Sequence, residues 1–178
     1  MMKGPSKIMN ICALSLVIGI SVAGCASEAP PPTQPSFYRS MAQPGAELDV
    51  ASAESMISGY RRNNALGELT LDPELTRLAL VQASAMAARN QLDHNASGTL
   101  AARIKKSGYD SKIAAENVSA GYHTLAEAFS GWRDSPPHRA NMLLRGATRM
   151  GIAAVYAPNS KYKVFWTLIV AAPDSRKG

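Results

Sequence analysis

The sequence predicts an α+β fold, a three-layer α-β-α sandwich in which a small antiparallel sheet lies between helices. Residues 49–134 contain four segments with helix caps and apolar stripes at helical spacing, whereas residues 152–171 have the pattern of two β-strands. Both alternate sets of side chains in the second strand are apolar, so both faces of the sheet need cover. The preceding helices supply this cover on two sides.

The first two helices are marked by their N-terminal caps. Asp49 precedes a stripe with helical spacing, formed by Val50, Ala53, Ile57 and Tyr60. Asp72 is followed by proline and glutamate, which suit the first turn of a helix. The stripe of this second helix consists of Leu75, Leu78, Val81, Ala85 and Ala88.

Two shorter helices follow. The third runs from about Thr99 to Ser107 and stops at Gly108. The fourth begins with a capping box of Thr124 and Glu127, and its apolar residues are Leu125, Ala128, Phe129 and Trp132.

The two strands cover residues 152–156 and 164–171. Pro158, Asn159 and Ser160 lie between them in a short polar segment, which is typical of a hairpin turn. The pair is therefore expected to be antiparallel.

The N-terminus has the features of an export signal. Lys3 and Lys7 precede a mostly apolar run, residues 8–22, that is too short to span a membrane. The run ends in Val22-Ala23-Gly24-Cys25, which resembles a lipobox. The resemblance implies that residues 1–24 are removed and that Cys25 is acylated, with palmitate among its acyl chains, and anchors the protein to a membrane.

An ordinary cleavage site beside an unrelated cysteine is the alternative. Ala26 is not aspartate, so no inner-membrane retention signal is evident, which favours the outer membrane or periplasm in a Gram-negative cell. Cys12 would leave with the signal and Cys25 would carry lipid, so no disulfide is expected in the mature chain.

Residues 25–48 are predicted to be a proline-rich tether, because their composition cannot build a core. Its prolines are Pro30, Pro31, Pro32, Pro35 and Pro44. The domain is then predicted to occupy residues 49–173, followed by a C-terminal tail of residues 174–178.

The charge pattern argues against a nucleic-acid partner. Loss of residues 1–24 removes two lysines and no acid, which lowers the formal net charge from +6 to +4. The remaining basic residues are scattered, whereas nucleic-acid readers present a basic stripe with stacking aromatics. The domain is expected to be monomeric.

Three polar residues are candidates for a functional site: His94, Glu116 and His138. Two imidazoles and a carboxylate are a common ligand set for zinc, with a fourth position left for water. Successive members are 22 residues apart, which is too far for a local chelate, and the His-Glu-x-x-His motif is absent. From the residues alone, one shared site and three unrelated surface or capping residues are both open.

Together with their neighbourhoods, these residues resemble the bacterial branch of the CAP superfamily (cysteine-rich secretory, antigen 5 and pathogenesis-related 1 proteins, or SCP-like domains). The resemblance rests on the order of the two histidines and the Glu116-Asn117 motif, and on the segment from Ser135 to Leu143. It implies the α-β-α fold of that family and a cleft where His94, Glu116 and His138 meet, with a divalent metal such as zinc as a cofactor of these three residues.

The match is incomplete at three points. Ala115 stands where the family usually has glycine before the glutamate, and Pro137 stands where bacterial members often have glycine before the histidine. Many members also carry a second glutamate three residues after the tryptophan of the fourth helix, and this position is Ser135 here. Asp134, beside it, is a candidate substitute. Asn141, three residues after His138, is expected either to orient that histidine or to tie down a loop.

The resemblance implies an exported, lipid-anchored protein of the bacterial envelope. A non-catalytic binding or interaction module is the favoured function, with a lipid, a peptide or another envelope component in the cleft. The alternative is a metal-dependent, peptidase-like hydrolase, in which His94 and His138 hold the ion and Glu116 is the candidate catalytic residue, as ligand or base.

Overall fold

The computed structural model describes residues 1, 2, 4 and 34–173, so Cys25, most of the predicted signal peptide and the C-terminal tail lie outside the described residues. In the described part of the chain, no helix has both the length and the apolar character needed to cross a membrane. The elements are a 3-10 helix (Ser36–Tyr38), α1 (Val50–Arg62), β1 (Thr70–Leu71), α2 (Pro73–Arg89), α3 (Leu100–Ser107), β2 (Ser111–Ala120), α4 (Leu125–Asp134), α5 (Pro136–Met142), β3 (Arg149–Tyr156) and β4 (Val164–Pro173).

The four strands form one sheet in the order β1-β3-β4-β2. The predicted antiparallel pair is confirmed as β3 and β4, and β2, whose range was not predicted, also pairs antiparallel with β4. The exception is β1, which pairs parallel with β3 over two residues and makes the sheet mixed. A strand of two residues is too short to show an alternating pattern, so the sequence did not predict it.

Helices cover both faces of the sheet, as predicted. Side chains of α1 and α4 pack on one face around Trp166, Leu168 and Val170 of β4. Side chains of α2 pack on the other face, against Ile169 and Ala171. Every residue of β4 from Val164 to Ala171 is buried, which explains why both of its alternate sets are apolar.

Helix α2 crosses the sheet closely at Gly151. A Cβ atom there would lie 2.1 Å from the main-chain carbon of Leu75, so only glycine fits this crossing. The buried face of α2 differs from the predicted stripe: Val81 is 41% exposed, whereas Gln82 is fully buried. Val81 was predicted to be buried because it is apolar. The polar Gln82 is buried instead, because both the nitrogen and the oxygen of its side-chain amide are hydrogen bonded.

The packed part of the chain begins before the predicted boundary at Asp49. The predicted tether was residues 25–48, yet Met41 is only 6% exposed and belongs to the core. Its backbone N–H donates to the carbonyl of His123 at 2.6 Å. The proline content favoured an extended segment. Apolar side chains between residues 36 and 48 instead pack against the core of the domain.

The three predicted N-caps, Asp49, Asp72 and Thr124, are confirmed, and α3 ends at Gly108 as predicted. Asp49 accepts from the Ser52 N–H at 3.0 Å, and the Asp72 carboxylate accepts from two backbone N–H groups of α2. Thr99 caps α3 in the same way. In α4, Thr124 Oγ1 accepts from the Glu127 N–H at 3.2 Å while Glu127 accepts from the Thr124 N–H at 3.0 Å, which completes the capping box.

Removal of the Thr124 hydroxyl should destabilise the protein, because the Glu127 N–H loses its acceptor. Thr124→Ala is expected to lower the free energy of unfolding by about 1 kcal/mol, measured by urea denaturation. The control is Thr148→Ala, since the exposed Thr148 side chain makes no hydrogen bond, and it should change stability by less than about 0.5 kcal/mol. Equal losses in the two variants would contradict a capping role.

Candidate functional site

Glu116 lies on β2 with a side chain that is only 4% exposed, and both of its carboxylate oxygens are engaged. Oε1 lies 3.0 Å from Nδ1 of His94. Oε2 accepts a short hydrogen bond from Nη2 of Arg103, which forms a buried ion pair with it. The carboxylate therefore links a helix on one side to a loop histidine on the other.

Arg103 is the partner that sequence reasoning missed. It lies on α3, its side chain is 5% exposed, and its Nε also donates to the carbonyl of Gly98 at 3.0 Å. The signal was present in the sequence, because Leu100, Arg103 and Ile104 have the spacing of one helix face. Arginine is usually exposed, so the sequence did not indicate that Arg103 is buried. A buried arginine occurs where its charge is paired, as it is here.

The loop that carries His94 is anchored from α2. Nε2 of Gln82 donates to the Asp93 carbonyl at 2.7 Å, and its Oε1 accepts from the Ser97 N–H at 3.1 Å. The loop begins at Asn90, which ends α2 in the left-handed conformation. Because an ionised carboxylate can only accept, Nδ1 of the half-exposed His94 ring donates the hydrogen bond to Glu116.

His138, on α5, shares a groove with His94. This groove, called here the His94–His138 groove, has a volume of about 470 Å³ and is lined by Leu92, Asp93, His94, Asn95, Val118 and His138. Burial, and secondly the charge of nearby His94, lower the pKa of His138 below the usual value for histidine. His138 therefore stays neutral at lower pH than an exposed histidine does.

Two asparagines join α5 to β2. Asn117 donates through Nδ2 to the carbonyl of His138 at 2.9 Å. Asn141 donates to the Glu116 carbonyl at 3.0 Å and to Oδ1 of Asn117 at 2.9 Å. Of the two expected roles for Asn141, the contacts show the second, because it ties α5 to the strand and bonds no ring nitrogen of His138.

The candidate second acid does not reach the groove. Asp134 is 66% exposed and pairs with its neighbour Arg133 at 2.8 Å. Ser135 is the N-cap residue of α5, but its side chain makes no capping hydrogen bond. Among the described residues, Asp134 forms its ion pair with Arg133 and not with Glu116 or a site histidine, so the position of the family's second glutamate has no acidic replacement here.

Within the described residues, no group of three His, Cys, Asp or Glu side chains is arranged to hold a metal ion. Both oxygens of Glu116 are hydrogen bonded, one to His94 and one to Arg103. Metal binding by His94, Glu116 and His138, which the resemblance implied, stays a prediction. The two imidazoles share a groove, while the carboxylate orients one of them.

Removal of the Arg103 guanidinium should leave a buried, unpaired carboxylate. Arg103→Leu is expected to lower the free energy of unfolding by about 3–5 kcal/mol in denaturant titrations. Arg103→Leu combined with Glu116→Leu should recover most of this loss, because neither charge then stays buried alone. The exposed pair of Arg62 and Glu68 is the control, and Arg62→Ala should cost less than about 1 kcal/mol. A loss from Arg103→Leu no greater than this would contradict a buried pair.

The fold is similar to solved bacterial structures. An extracellular protein containing an SCP domain from Bacillus anthracis (strain Ames) superposes with a TM-score of 0.60 and 23% identity, over 68% of this chain and 39% of that one. An outer surface protein from Borrelia burgdorferi superposes with a TM-score of 0.64 and 19% identity, over 71% and 93% of the two chains. At these identities the similarity shows the fold alone.

The sequence also matches a relative and a family. It is 29% identical over 119 residues to the uncharacterized protein YkwD of Bacillus subtilis (strain 168), covering 60% of this chain and 46% of that protein. The chain thus spans less than half the length of this relative. Residues 54–170 match the CAP family, described as the cysteine-rich secretory protein family. Since this match covers well over half of the chain, the protein belongs to the CAP family.

Proposed function

We propose that this CAP domain is a non-catalytic binding module of the bacterial envelope that holds its ligand in the His94–His138 groove. The observation that carries the proposal is the engagement of Glu116, whose oxygens are bound by His94 and Arg103. A general base must lie within reach of the water that it deprotonates, whereas Glu116 is 4% exposed and is not among the residues that line the groove. In this arrangement Glu116 instead holds the His94 ring in one orientation.

The groove has the mixed chemistry of a binding site. Leu92 and Val118 provide apolar surface, while Asp93, Asn95 and two imidazoles provide polar groups. Such a combination suits a ligand with both apolar and hydrogen-bonding parts, such as a peptide or another envelope component. The lowered pKa of His138 keeps its ring neutral near neutral pH, so it can accept a hydrogen bond from the ligand.

The second candidate function is a metal-dependent hydrolase. Two imidazoles in one groove favour it, because neutral imidazole is a common zinc ligand. His94 and His138 would be the two protein ligands of the metal. Glu116 would orient His94 through the hydrogen bond to its Nδ1 and would not itself be a ligand. Zinc bound there would polarise a substrate carbonyl or a water molecule.

Zinc titration by calorimetry tests whether the groove takes a metal. His94→Ala and His138→Ala should each abolish measurable binding, and Glu116→Gln should weaken it by about 10–100-fold, because an orienting carboxylate is lost. The matched control is His123→Ala, since His123 is exposed in a loop and its variant should bind as the wild type does. If the wild type does not bind zinc, or if all three histidine variants lose zinc affinity equally, metal binding in the groove and the hydrolase function are both ruled out.

Hydrolysis assays separate the two functions if zinc binds. The binding module predicts that the wild type cleaves peptide and ester substrates no faster than Glu116→Gln does, with or without zinc. Zinc-dependent cleavage that disappears in Glu116→Gln would overturn the binding module in favour of the hydrolase.

We also propose that the protein is exported and anchored by lipid on Cys25. The sequence around Cys25 supports this, together with the descriptions of two structural relatives, one as an extracellular protein and one as an outer surface protein. An acyl anchor would place the domain at the outer membrane in a Gram-negative cell. Diacylation of Cys25 with further N-acylation would supply three acyl chains, more than the two signals that stable membrane attachment requires.

Two cysteine variants test the anchor. Cys25→Ser should block processing and abolish palmitate incorporation, whereas Cys12→Ser should leave both unchanged because Cys12 lies within the predicted signal. Mass spectrometry of the purified wild type should find an acylated Cys25 as the first residue. A wild-type protein with an unmodified N-terminus at any other residue would contradict the proposal.

A further inference from the structure

A second pocket lies between α2 and α3. Arg77, Ser97, Arg103, Lys106 and Ser107 line this α2–α3 pocket together with two apolar residues of α2, and its volume is about 330 Å³. Three of its lining residues are cations, and no aspartate or glutamate is among them. The His94–His138 groove, by contrast, includes an acid in its lining.

Each of the three cations keeps a nitrogen without an acceptor among the described residues. Arg77 uses Nε and Nη2 to bind Glu74, which leaves Nη1. Arg103 uses Nε and Nη2 inside the domain, and its Nη1 is buried without a hydrogen-bond partner. No described residue pairs with the ammonium of Lys106.

An unpaired donor on a buried guanidinium is unfavourable, because it has given up water without gaining an acceptor. The pocket hydroxyls do not accept from it, because Nη1 has no hydrogen-bond partner among the described residues. An oxyanion would supply the missing acceptor through a charge-assisted hydrogen bond. The charge balance agrees: two carboxylates, on Glu74 and Glu116, offset only two of the three cations.

We propose that the α2–α3 pocket binds a phosphate group, which accepts hydrogen bonds from Arg77, Arg103 and Lys106. Three separate donors suit a tetrahedral anion with several acceptor oxygens better than a carboxylate with two. The phosphate is either the free ion or a phosphate monoester headgroup, which share this chemistry. The site does not include either groove histidine, so it does not depend on the function proposed for the groove.

Titration of the purified protein with inorganic phosphate, followed by NMR of the backbone amides, tests this site. Saturable shifts are expected at Ser97, Lys106 and Ser107, whereas chloride at the same ionic strength should give none. Lys106→Gln should weaken phosphate binding about five-fold, the size expected for one partly exposed ion pair.

The neighbouring lysine provides a matched control. Lys105→Gln removes the same charge from the same helix, but Lys105 lines a different pocket, so this variant should bind phosphate as the wild type does. A parallel titration with glycerol 3-phosphate distinguishes the two sources, because tighter binding of the ester indicates a headgroup and tighter binding of the free ion indicates phosphate itself. The proposal is overturned if neither ligand saturates, if chloride gives the same shifts, or if the two lysine variants lose affinity equally.

Discussion

The buried ion pair between Arg103 and Glu116 is the constraint on which the candidate site depends. A carboxylate inside a protein is unfavourable unless its charge is balanced and its oxygens are hydrogen bonded. Arg103 satisfies one oxygen from α3, and His94 satisfies the other from the loop after α2. One side chain on β2 thereby sets the positions of a helix and a loop. The orientation of the exposed imidazole follows from this buried pair.

The same principle holds the rest of the domain together. Residues 34–173 contain no cysteine, so disulfides cannot tie their loops. Arg61 serves this purpose in the core: it is 1% exposed and donates to four backbone carbonyls, those of Gly67, Met142, Leu144 and Ala147. Burial lowers the pKa of Arg61, but an arginine still carries its charge, and the carbonyl dipoles replace the water it has lost. Gln82, Asn117 and Asn141 join other segments in the same way.

This arrangement separates the two surfaces that the fold offers for binding. The His94–His138 groove presents two imidazoles, an amide and the carboxylate of Asp93 beside apolar surface, which suits recognition of a ligand with both apolar and hydrogen-bonding parts. The α2–α3 pocket presents cations with spare donors, which suits an anion. Arg103 contributes to both, because its guanidinium holds Glu116 for the groove with one nitrogen and keeps another unpaired. The guanidinium group can do both because it has five N–H donors on three nitrogens, whereas a lysine at this position would offer a single charged nitrogen.

The sequence by itself determined what depends on neighbouring residues. The N-caps of α1, α2 and α4 and the end of α3 at Gly108 follow from local hydrogen bonds, and the apolar run of β4 predicted a sheet covered on both faces. The resemblance correctly indicated the fold. Tertiary structure alone decided that Arg103 and Gln82 are buried, that Asp134 lies apart, and that both oxygens of Glu116 are hydrogen bonded. The physical reason is that a polar side chain is buried only where hydrogen-bond partners are available, and most of these partners lie 11 to 86 residues away along the chain.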